Sequence, residues 1–274
     1  MEDIAVVIPT FNSSRTIAKC LESISNQTSQ CSEVRVIDRF STDGTMAIAK
    51  ALGAAVIQAE ANRTRARNIG LESSSSSSLL FVDSDMILSP TVVEECVECL
   101  NEHDAVVIPE VSIGNGFWAK CKSLERGASL DEAARCFDRS AVISAGKYNP
   151  NLEYGEDLDL HTRMIVSGFS VGKISATILH DEGNLSLTSA IRAKYFYGKA
   201  FGNYLRTQPT TGFKQLNPLR GIVLPSLRVS VSTPRYGLGI LFMKSLEWAA
   251  AGLGYMEERT NHAVSLVENP YSNK

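Results

Sequence analysis

Short apolar runs and helical periodicities alternate along the first 110 of the 274 residues. Residues 4–8 form an apolar run closed by Pro9, and Ile17, Leu21 and Ile24 follow at helical spacing. A short apolar run predicts a buried strand, whereas apolar residues three or four positions apart predict a helix. The chain is therefore predicted to begin with a strand, a turn and a helix.

This strand and helix unit then repeats. Four further strands are predicted, with a helix after each of the first three; the strands lie at residues 34–37, 55–58, 79–83 and 105–108. Such regular alternation indicates right-handed crossovers and a doubly wound, mostly parallel sheet. Six consecutive serines, Ser73–Ser78, precede the third of these strands and are predicted to form a solvated surface connector.

The second half of the chain has a less regular pattern. It predicts a helix that begins at Glu156, together with a helix at 117–127 and strands at 136–144, 171–174 and 177–179. Beyond residue 185 the pattern is helical. We therefore predict an α/β domain over residues 1–184, with halves at 1–110 and 111–184, and a helical region over residues 185–274.

Two carboxylates end the apolar run in LLFVDSDMIL, residues 79–88. Ligands of open α/β sheets bind beyond the carboxyl ends of the strands, so Asp83 and Asp85 lie where a ligand would bind. Carboxylates this close repel each other unless a cation lies between them, and a divalent metal ion carrying a diphosphate would supply that charge. In the alternative interpretation, one aspartate caps the next helix and the other is solvated.

Composition and missing motifs exclude several classes of function. The net charge of −3 provides no general basic field, so we expect no nucleic-acid partner. No GxGxxG or GxxxxGK[ST] motif follows a strand, which argues against a dinucleotide dehydrogenase and a P-loop phosphotransferase. The six cysteines are predicted to be reduced thiols, with a zinc site at Cys96 and Cys99 as the alternative.

The N-terminus and the length of the apolar runs bear on location. The chain begins MEDIAVVIPT, which starts acidic and passes directly into a strand, so no signal peptide is predicted. No apolar run reaches the roughly 18 residues needed to span a bilayer. We therefore expect a cytoplasmic protein.

Five ordered motifs between residues 4 and 180 give the chain a resemblance to the family 2 inverting glycosyltransferases. VVIPTFN at 6–12 and VIDRFSTDGT at 36–45 are similar to the family's nucleotide loop and second strand. RARNIG, DSD and GEDLDL resemble its Ala-Arg-Asn-x-Gly signature, its metal-binding acids and its Glu-Asp motif; they begin at residues 65, 83 and 155. Arg39 and Phe40 stand where the family usually has a second acid and a glycine. The resemblance implies the α/β GT-A fold, with a helical C-terminal extension.

The resemblance also implies which residues bind the donor and the metal. A UDP- or GDP-linked sugar would contact Pro9, Thr10, Phe11, Asp38, Arg67, Asp83 and Ser84. In this scheme Phe11 stacks on the base, Asp38 meets the base or ribose, and Arg67 approaches the diphosphate. Asp85 would hold Mn²⁺ or Mg²⁺ together with Asp83. His180 is either a third metal ligand, which a neutral imidazole suits, or a structural histidine at a strand end.

The resemblance implies that Asp157 is the general base and that Glu156 contacts the acceptor or shapes the loop. The acceptor hydroxyl must lose its proton as it attacks the anomeric carbon, and one positioned carboxylate can accept that proton. A single base with direct displacement implies inversion. Alternatively, both acids only cap the helix that they begin, because a helix N-terminus favours carboxylates.

Two other classes of protein are compatible with this architecture. A nucleotide-sugar-binding module without transferase activity would be expected to lack an acid at 83, 85 or 157, and all three are present. A sugar nucleotidyltransferase would need a glycine-rich, basic loop after the first strand, where this chain has PTFNSSR.

The C-terminal region suggests a location for the acceptor. Residues 187–206 fit one helix with a basic face, and residues 236–256 are nearly apolar but contain Lys244 and Glu247. Such a segment lies in a membrane interface more readily than it crosses a membrane. We hypothesise a peripheral enzyme on the cytosolic face, acting on a polyprenyl- or other lipid-linked acceptor. Packing on the catalytic domain, or a homo-oligomer contact, are the alternatives.

Overall fold

The computed structural model describes residues 3–127, 132–210, 212, 217 and 219–268 of the chain. The described residues fall into two compact units. The sheet unit lies within residues 1–113, 129–150 and 156–182. The helical unit lies within residues 114–128, 151–155 and 183–274.

Among its described residues, the sheet unit has ten strands in two sheets: β1 Ile4–Thr10, β2 Glu33–Asp38, β3 Ala55–Gln58, β4 Ser78–Phe81, β5 Met86–Leu88, β6 Ala105–Val107, β7 Glu110–Ile113, β8 Ala134–Asp138, β9 Val171–Lys173 and β10 Ile178–Asp181. The central sheet has the order β3-β2-β1-β4-β8-β6-β9, and the small sheet has the order β5-β10-β7. In the central sheet β8 alone runs antiparallel to its neighbours, β4 and β6. The predicted α/β fold with a mostly parallel sheet is therefore confirmed.

The helices that cover the sheet are α1 Ile17–Ser25, α2 Thr45–Ala51, α3 Arg63–Ser73, α4 Val92–Leu100, α6 Arg139–Ser144 and α7 Glu156–Val166. Every residue of β1 and β4 is buried, as expected for central strands with both faces covered. Two apolar clusters form the core of this unit; Ile17 belongs to one and Leu71 to the other.

Helix α3 approaches β1 very closely. The Asn62 side chain caps α3 by accepting a hydrogen bond from the Arg65 N–H at 2.9 Å. Farther along the helix, a Cβ at Gly70 would lie 2.2 Å from Cγ1 of Val7. Only glycine fits this contact, which fixes the distance between α3 and the central sheet.

Two predictions for the sheet unit were wrong. The strand predicted at 136–144 ends at Asp138, because the Asp138 carboxylate accepts from the Ala141 N–H at 2.8 Å and caps α6. The serine run is only half solvated, since Ser73, Ser75 and Ser77 are exposed whereas Ser74, Ser76 and Ser78 are buried. The Ser76 hydroxyl lies 2.9 Å from that of Ser32, so this buried hydroxyl has a hydrogen-bond partner within the protein.

The helical unit contains α5 Gly116–Gly127, α8 Leu187–Thr207, a π-helix at Leu219–Val223, α9 Leu224–Ser232 and α10 Pro234–Glu268. The helix predicted at 187–206 is confirmed as α8. Glycines allow α8 and α10 to cross closely, because a Cβ at Gly198 would lie 2.0 Å from the Ala251 carbonyl oxygen. Among the residues described, no helix has the length and apolarity needed to cross a membrane.

The contact of Gly70 with Val7 predicts a destabilised variant. Gly70→Ala should lower the free energy of unfolding by about 1–3 kcal/mol, because the added methyl group forces α3 away from β1. Gly252→Ala is the matched control: Gly252 also lies in a helix, but a Cβ there meets nothing within 4 Å. Urea unfolding followed by circular dichroism measures both. Equal stability of the two variants would show that α3 is not held at this distance.

Candidate active site

Arg67 binds acids that lie up to 90 positions away in the chain. Its side chain is fully buried. Nη2 donates to Asp83 Oδ1 at 2.8 Å, and Nη1 donates to Asp157 Oδ1 at 2.6 Å and to Glu156 Oε1 at 3.2 Å. Charge-assisted hydrogen bonds of this kind are stronger than neutral ones. The acid that follows β4 and the two acids that begin α7 therefore share one cation.

Two further arginines balance the charge of these carboxylates. Arg63 Nη2 lies 2.6 Å from Glu156 Oε1, and Arg135 Nη1 lies 3.7 Å from Asp83 Oδ2. Burial alone would raise the pKa of Asp83, but Arg67, Arg135 and Arg63 outweigh it and hold that pKa well below its usual range. Burial would likewise lower the pKa of Arg67, but Asp157 and Asp83 raise it well above its ordinary value. Asp83 and Arg67 are thus charged at neutral pH.

The RARNIG segment positions this cluster through three of its residues. Asn68 Nδ2 donates to the Tyr148 carbonyl at 2.8 Å, and the Tyr148 N–H donates to Asn68 Oδ1 at 3.1 Å. These two bonds place the Tyr148 ring against Arg67, whose guanidinium carbon lies 5.2 Å from the ring centroid. Gly70 allows α3 to pack closely against β1 at Val7. The motif therefore fixes the arginine, its aromatic neighbour and the helix together.

Asp38, predicted to meet the base or ribose, is fully buried at the end of β2. Its carboxylate accepts from Thr10 Oγ1 at 3.1 Å, from the Ser41 N–H at 3.0 Å and from Ser41 Oγ at 2.5 Å. Gln58 Nε2 also donates to it, at 3.3 Å. In this arrangement Asp38 shapes the loop after β2, and its contact with a nucleotide stays a prediction.

The loops after β1 and β2 are joined by hydrogen bonds. The Asn12 N–H donates to Ser41 Oγ at 2.8 Å, and the Thr42 N–H donates to Asn12 Oδ1 at 2.9 Å. Asn12 and Phe40 have φ values of 50° and 49°, in the left-handed region that glycine usually occupies. Phe11, which follows Pro9 and Thr10, projects from this loop with 57% of its surface exposed, and the guanidinium carbon of Arg39 lies 5.7 Å from its ring centroid.

The small sheet brings two of the three predicted metal ligands together. His180 lies in β10, which pairs with β5 just after Asp85, and His180 Nε2 lies 3.4 Å from Asp85 Oδ2. Asp83, the third predicted ligand, faces Arg67 and Arg135 instead. Within the described ranges, no group of three or more His, Cys, Asp or Glu side chains has a metal-binding arrangement. An ion in a nucleotide site needs only one or two protein ligands besides the phosphates, and Asp85 with His180 meets that requirement.

Several residues of the site were missed at the sequence level. Arg63, Arg135, Tyr148 and Glu110 surround the predicted acids, and Glu110 Oε2 lies 3.7 Å from His180 Nδ1. Arg63 lies one helical turn before Arg67, and that spacing was an available signal. The hydroxyl of Ser84, a predicted donor-binding residue, donates to Ser13 Oγ at 2.8 Å.

Comparisons with known proteins identify the family of this chain and structures of similar fold. The sequence model of the family described as Glycosyl transferase family 2 matches residues 5–167. The glycosyltransferase GlyA of Streptococcus pneumoniae is 31% identical over 120 residues. That alignment covers 42% of this chain but only 17% of GlyA, so the chain spans less than a fifth of this relative.

Two solved structures are similar over almost the whole chain. A fragment of TarS from S. aureus, in complex with UDP-GlcNAc, has a TM-score of 0.54 at 15% identity and covers 94% of this chain and 92% of its own. The mannosyltransferase PcManGT from Pyrobaculum calidifontis, in complex with GDP-Man and Mn²⁺, has a TM-score of 0.56 at 16% identity. It covers 98% of this chain and 81% of its own. At these identities the likeness shows the fold alone.

The shared cation predicts a large effect of removing Arg67. Arg67→Met removes the buried cation that Asp83, Glu156 and Asp157 share, so the free energy of unfolding should fall by about 3 kcal/mol or more at pH 7. Arg65→Met, on the exposed face of the same helix, is the control and should stay within about 0.5 kcal/mol.

The effect of Arg67→Met on the free energy of unfolding should also depend on pH. Asp83 has a depressed pKa, so it stabilises the fold above the ordinary aspartate pKa of about 4, and that stability is lost as the pH falls further. The difference between wild type and Arg67→Met, measured by urea unfolding, should therefore narrow below about pH 4. A difference that is small, or that does not change with pH, would contradict the shared-cation arrangement.

Proposed function

The chain belongs to glycosyl transferase family 2, and on that premise we propose that it transfers a sugar from a UDP- or GDP-linked donor to an acceptor hydroxyl. The observation that carries this proposal is the set of hydrogen bonds by which Arg67 joins Asp83 to Glu156 and Asp157. This set places an acid at a strand end, where a donor diphosphate would bind, close to the acids that begin α7. These residues all lie within 1–184, the proposed catalytic domain.

Asp157 is the proposed general base. Its side chain is 24% exposed, whereas that of Glu156 is 2% exposed, so only Asp157 is open to an acceptor hydroxyl. Arg67 orients the Asp157 carboxylate through Oδ1. Glu156, bound by Arg63 and Arg67, holds the start of α7 in place. One base and one direct displacement at the anomeric carbon would invert its configuration.

A divalent cation is proposed to bind with the donor at Asp85 and His180. When bound, Mn²⁺ or Mg²⁺ would neutralise charge that develops on the leaving diphosphate. Asp85 is 39% exposed, so its carboxylate is open to a ligand. Glu110 lies on the other side of the imidazole and would orient the His180 ring, as carboxylates do for metal-bound histidines. PcManGT, a structural neighbour in complex with Mn²⁺, supports this part of the proposal.

The nucleotide is proposed to bind at the loops after β1 and β2. The exposed ring of Phe11 would stack on the base, and the hydrogen bonds between Asn12, Ser41 and Thr42 hold the two loops in position for it. Asp38 would act here by shaping the loop that carries Ser41. TarS in complex with UDP-GlcNAc and PcManGT in complex with GDP-Man support a nucleotide-sugar donor.

The proposed acceptor is a polyprenyl- or other lipid-linked hydroxyl, reached by peripheral contact with the cytosolic face of a membrane. Support for this part comes from the helical unit, where α8 carries Arg192, Lys194, Lys199 and Arg206. Basic side chains of this kind suit an acceptor that bears a phosphate.

The role of Asp157 can be separated from that of a helix cap. Asp157→Asn should keep donor affinity close to wild type and lower kcat by at least about 100-fold, because the acceptor proton loses its base. Glu156→Gln is the control, and it should affect stability more than kcat. Nucleoside diphosphate release and calorimetry with the donor measure the two effects. A collapse of donor affinity in Asp157→Asn would make this residue structural, and equal loss in both variants would support a cap.

The metal proposal predicts that activity depends on a divalent cation. Excess chelator should abolish turnover, and added Mn²⁺ should restore it. Asp85→Ala should lower the affinity for Mn²⁺ measured by calorimetry with the nucleotide present, while Asp104→Ala, also an aspartate of the sheet unit, should not. Undiminished turnover in excess chelator would exclude a metal role for Asp85 and His180.

A further inference from the structure

The basic and acidic residues are unevenly distributed along the chain. From residue 183 to residue 246 there is no Asp or Glu, but there are nine basic residues: Arg192, Lys194, Lys199, Arg206, Lys214, Arg220, Arg228, Arg235 and Lys244. The rest of the chain contains 18 basic and 30 acidic residues. The overall net charge of −3 therefore conceals a strongly cationic segment within an otherwise acidic protein.

Large apolar side chains are exposed in the same part of the chain. Helix α9 leaves Leu227 and Val231 exposed by 58% and 89%. Helix α10 leaves Leu238, Leu241 and Phe242 exposed by 67%, 40% and 54%. We call these five residues the α9–α10 surface.

The spacing on each helix places these residues in a row. Residues four apart on α9, and three or four apart on α10, share one face of their helix. The opposite faces are buried: Val229 of α9 and Ile240 and Met243 of α10 form an apolar cluster with Cys121. The two helices also pack closely, since a Cβ at Gly237 would lie 2.8 Å from the Ser226 carbonyl oxygen. The exposed rows are therefore held on a fixed support.

We infer that the α9–α10 surface docks this protein on an anionic lipid bilayer. Uncovered apolar side chains accompanied by cations fit the boundary between acyl chains and anionic headgroups. The exposed Arg228 lies next to Leu227 in sequence, and the exposed Arg235 lies three positions before Leu238, so both supply cations beside the apolar rows. A nucleic acid would attract the same charges but would not cover the leucines, so the apolar rows favour lipid.

This inference extends the proposed function, because docking would bring the enzyme to a lipid-linked acceptor. Only this biological role of docking rests on the proposed function. The docking can be measured without donor, metal or acceptor. If the protein binds vesicles but transfers no sugar, the proposed function fails and the docking stands. If the protein transfers sugar but does not bind vesicles, the docking alone fails.

Vesicle flotation of the full chain tests the inference. Wild type should float with vesicles of phosphatidylcholine mixed with phosphatidylglycerol and should not float with phosphatidylcholine alone. Binding should weaken as salt is added, because the attraction to anionic headgroups is screened. Val231→Ser combined with Leu238→Ser should weaken vesicle binding by at least about tenfold, because two apolar side chains no longer enter the interface.

A matched variant controls for the loss of exposed apolar side chains in general. Ile165 and Val166 of α7 are 53% and 81% exposed, and Ile165→Ser with Val166→Ser should leave vesicle binding unchanged. Absence of wild-type binding to anionic vesicles, or equal weakening by the two double variants, would overturn the inference. The α9–α10 surface could instead be covered by a second copy of the chain, and sedimentation velocity tests this. If wild type is a dimer and the variant with Val231→Ser and Leu238→Ser is a monomer, the surface is a dimer contact and the lipid-docking inference is overturned.

Discussion

The candidate site depends on one buried arginine. Removing the charge of Arg67 from water is costly, and the fold recovers that cost only if carboxylates stand at the right places around the guanidinium. Asp83 reaches Arg67 from the end of a central strand, and Glu156 and Asp157 reach it from the start of α7. The position of each acid is therefore fixed by the same group. A shift of α3 would disturb every acid at once, and the contact of Gly70 with Val7 opposes such a shift.

The acids held in this way have unequal access to solvent, and that difference gives adjacent residues different tasks. Glu156 accepts from two arginines and is nearly inaccessible, whereas Asp157 accepts from Arg67 and keeps about a quarter of its side chain exposed. Asp38 is the contrasting case, since its charge is satisfied by hydroxyl, amide and backbone donors rather than by a cation. The neutral donors around Asp38 therefore hold the loop after β2, whereas Arg67 sets the distances between the carboxylates that it binds.

The sequence predicted the parts of the structure that local pattern determines. Apolar runs located the central strands, and the acids at residues 83 and 85 followed from the end of one of them. The partners of Arg67 could not be predicted, because its bonds join residues 16 and 90 positions away. The serine run failed for a different reason: identical side chains carry no periodicity, so burial of alternate serines leaves no trace in the sequence. The strand predicted at 136–144 was too long because the apolar alternation continues past Asp138, where the strand ends and the Asp138 side chain caps α6.

The cationic segment at residues 183–246 is not visible in the net charge of the whole chain, because the acidic residues of other segments cancel its positive charge. No acid lies between residues 183 and 246, so any ion pair that the cations of that segment form is with an acid from elsewhere in the chain. Lys244 is an example, since its Nζ lies 3.1 Å from Glu247 and 3.5 Å from Glu125. The side chains of Arg228 and Arg235 are exposed, and the guanidinium carbon of Arg235 lies 5.2 Å from the centroid of the Phe117 ring. An anionic surface that also covers apolar side chains would attract the exposed cations of this segment and remove its apolar rows from water at the same time.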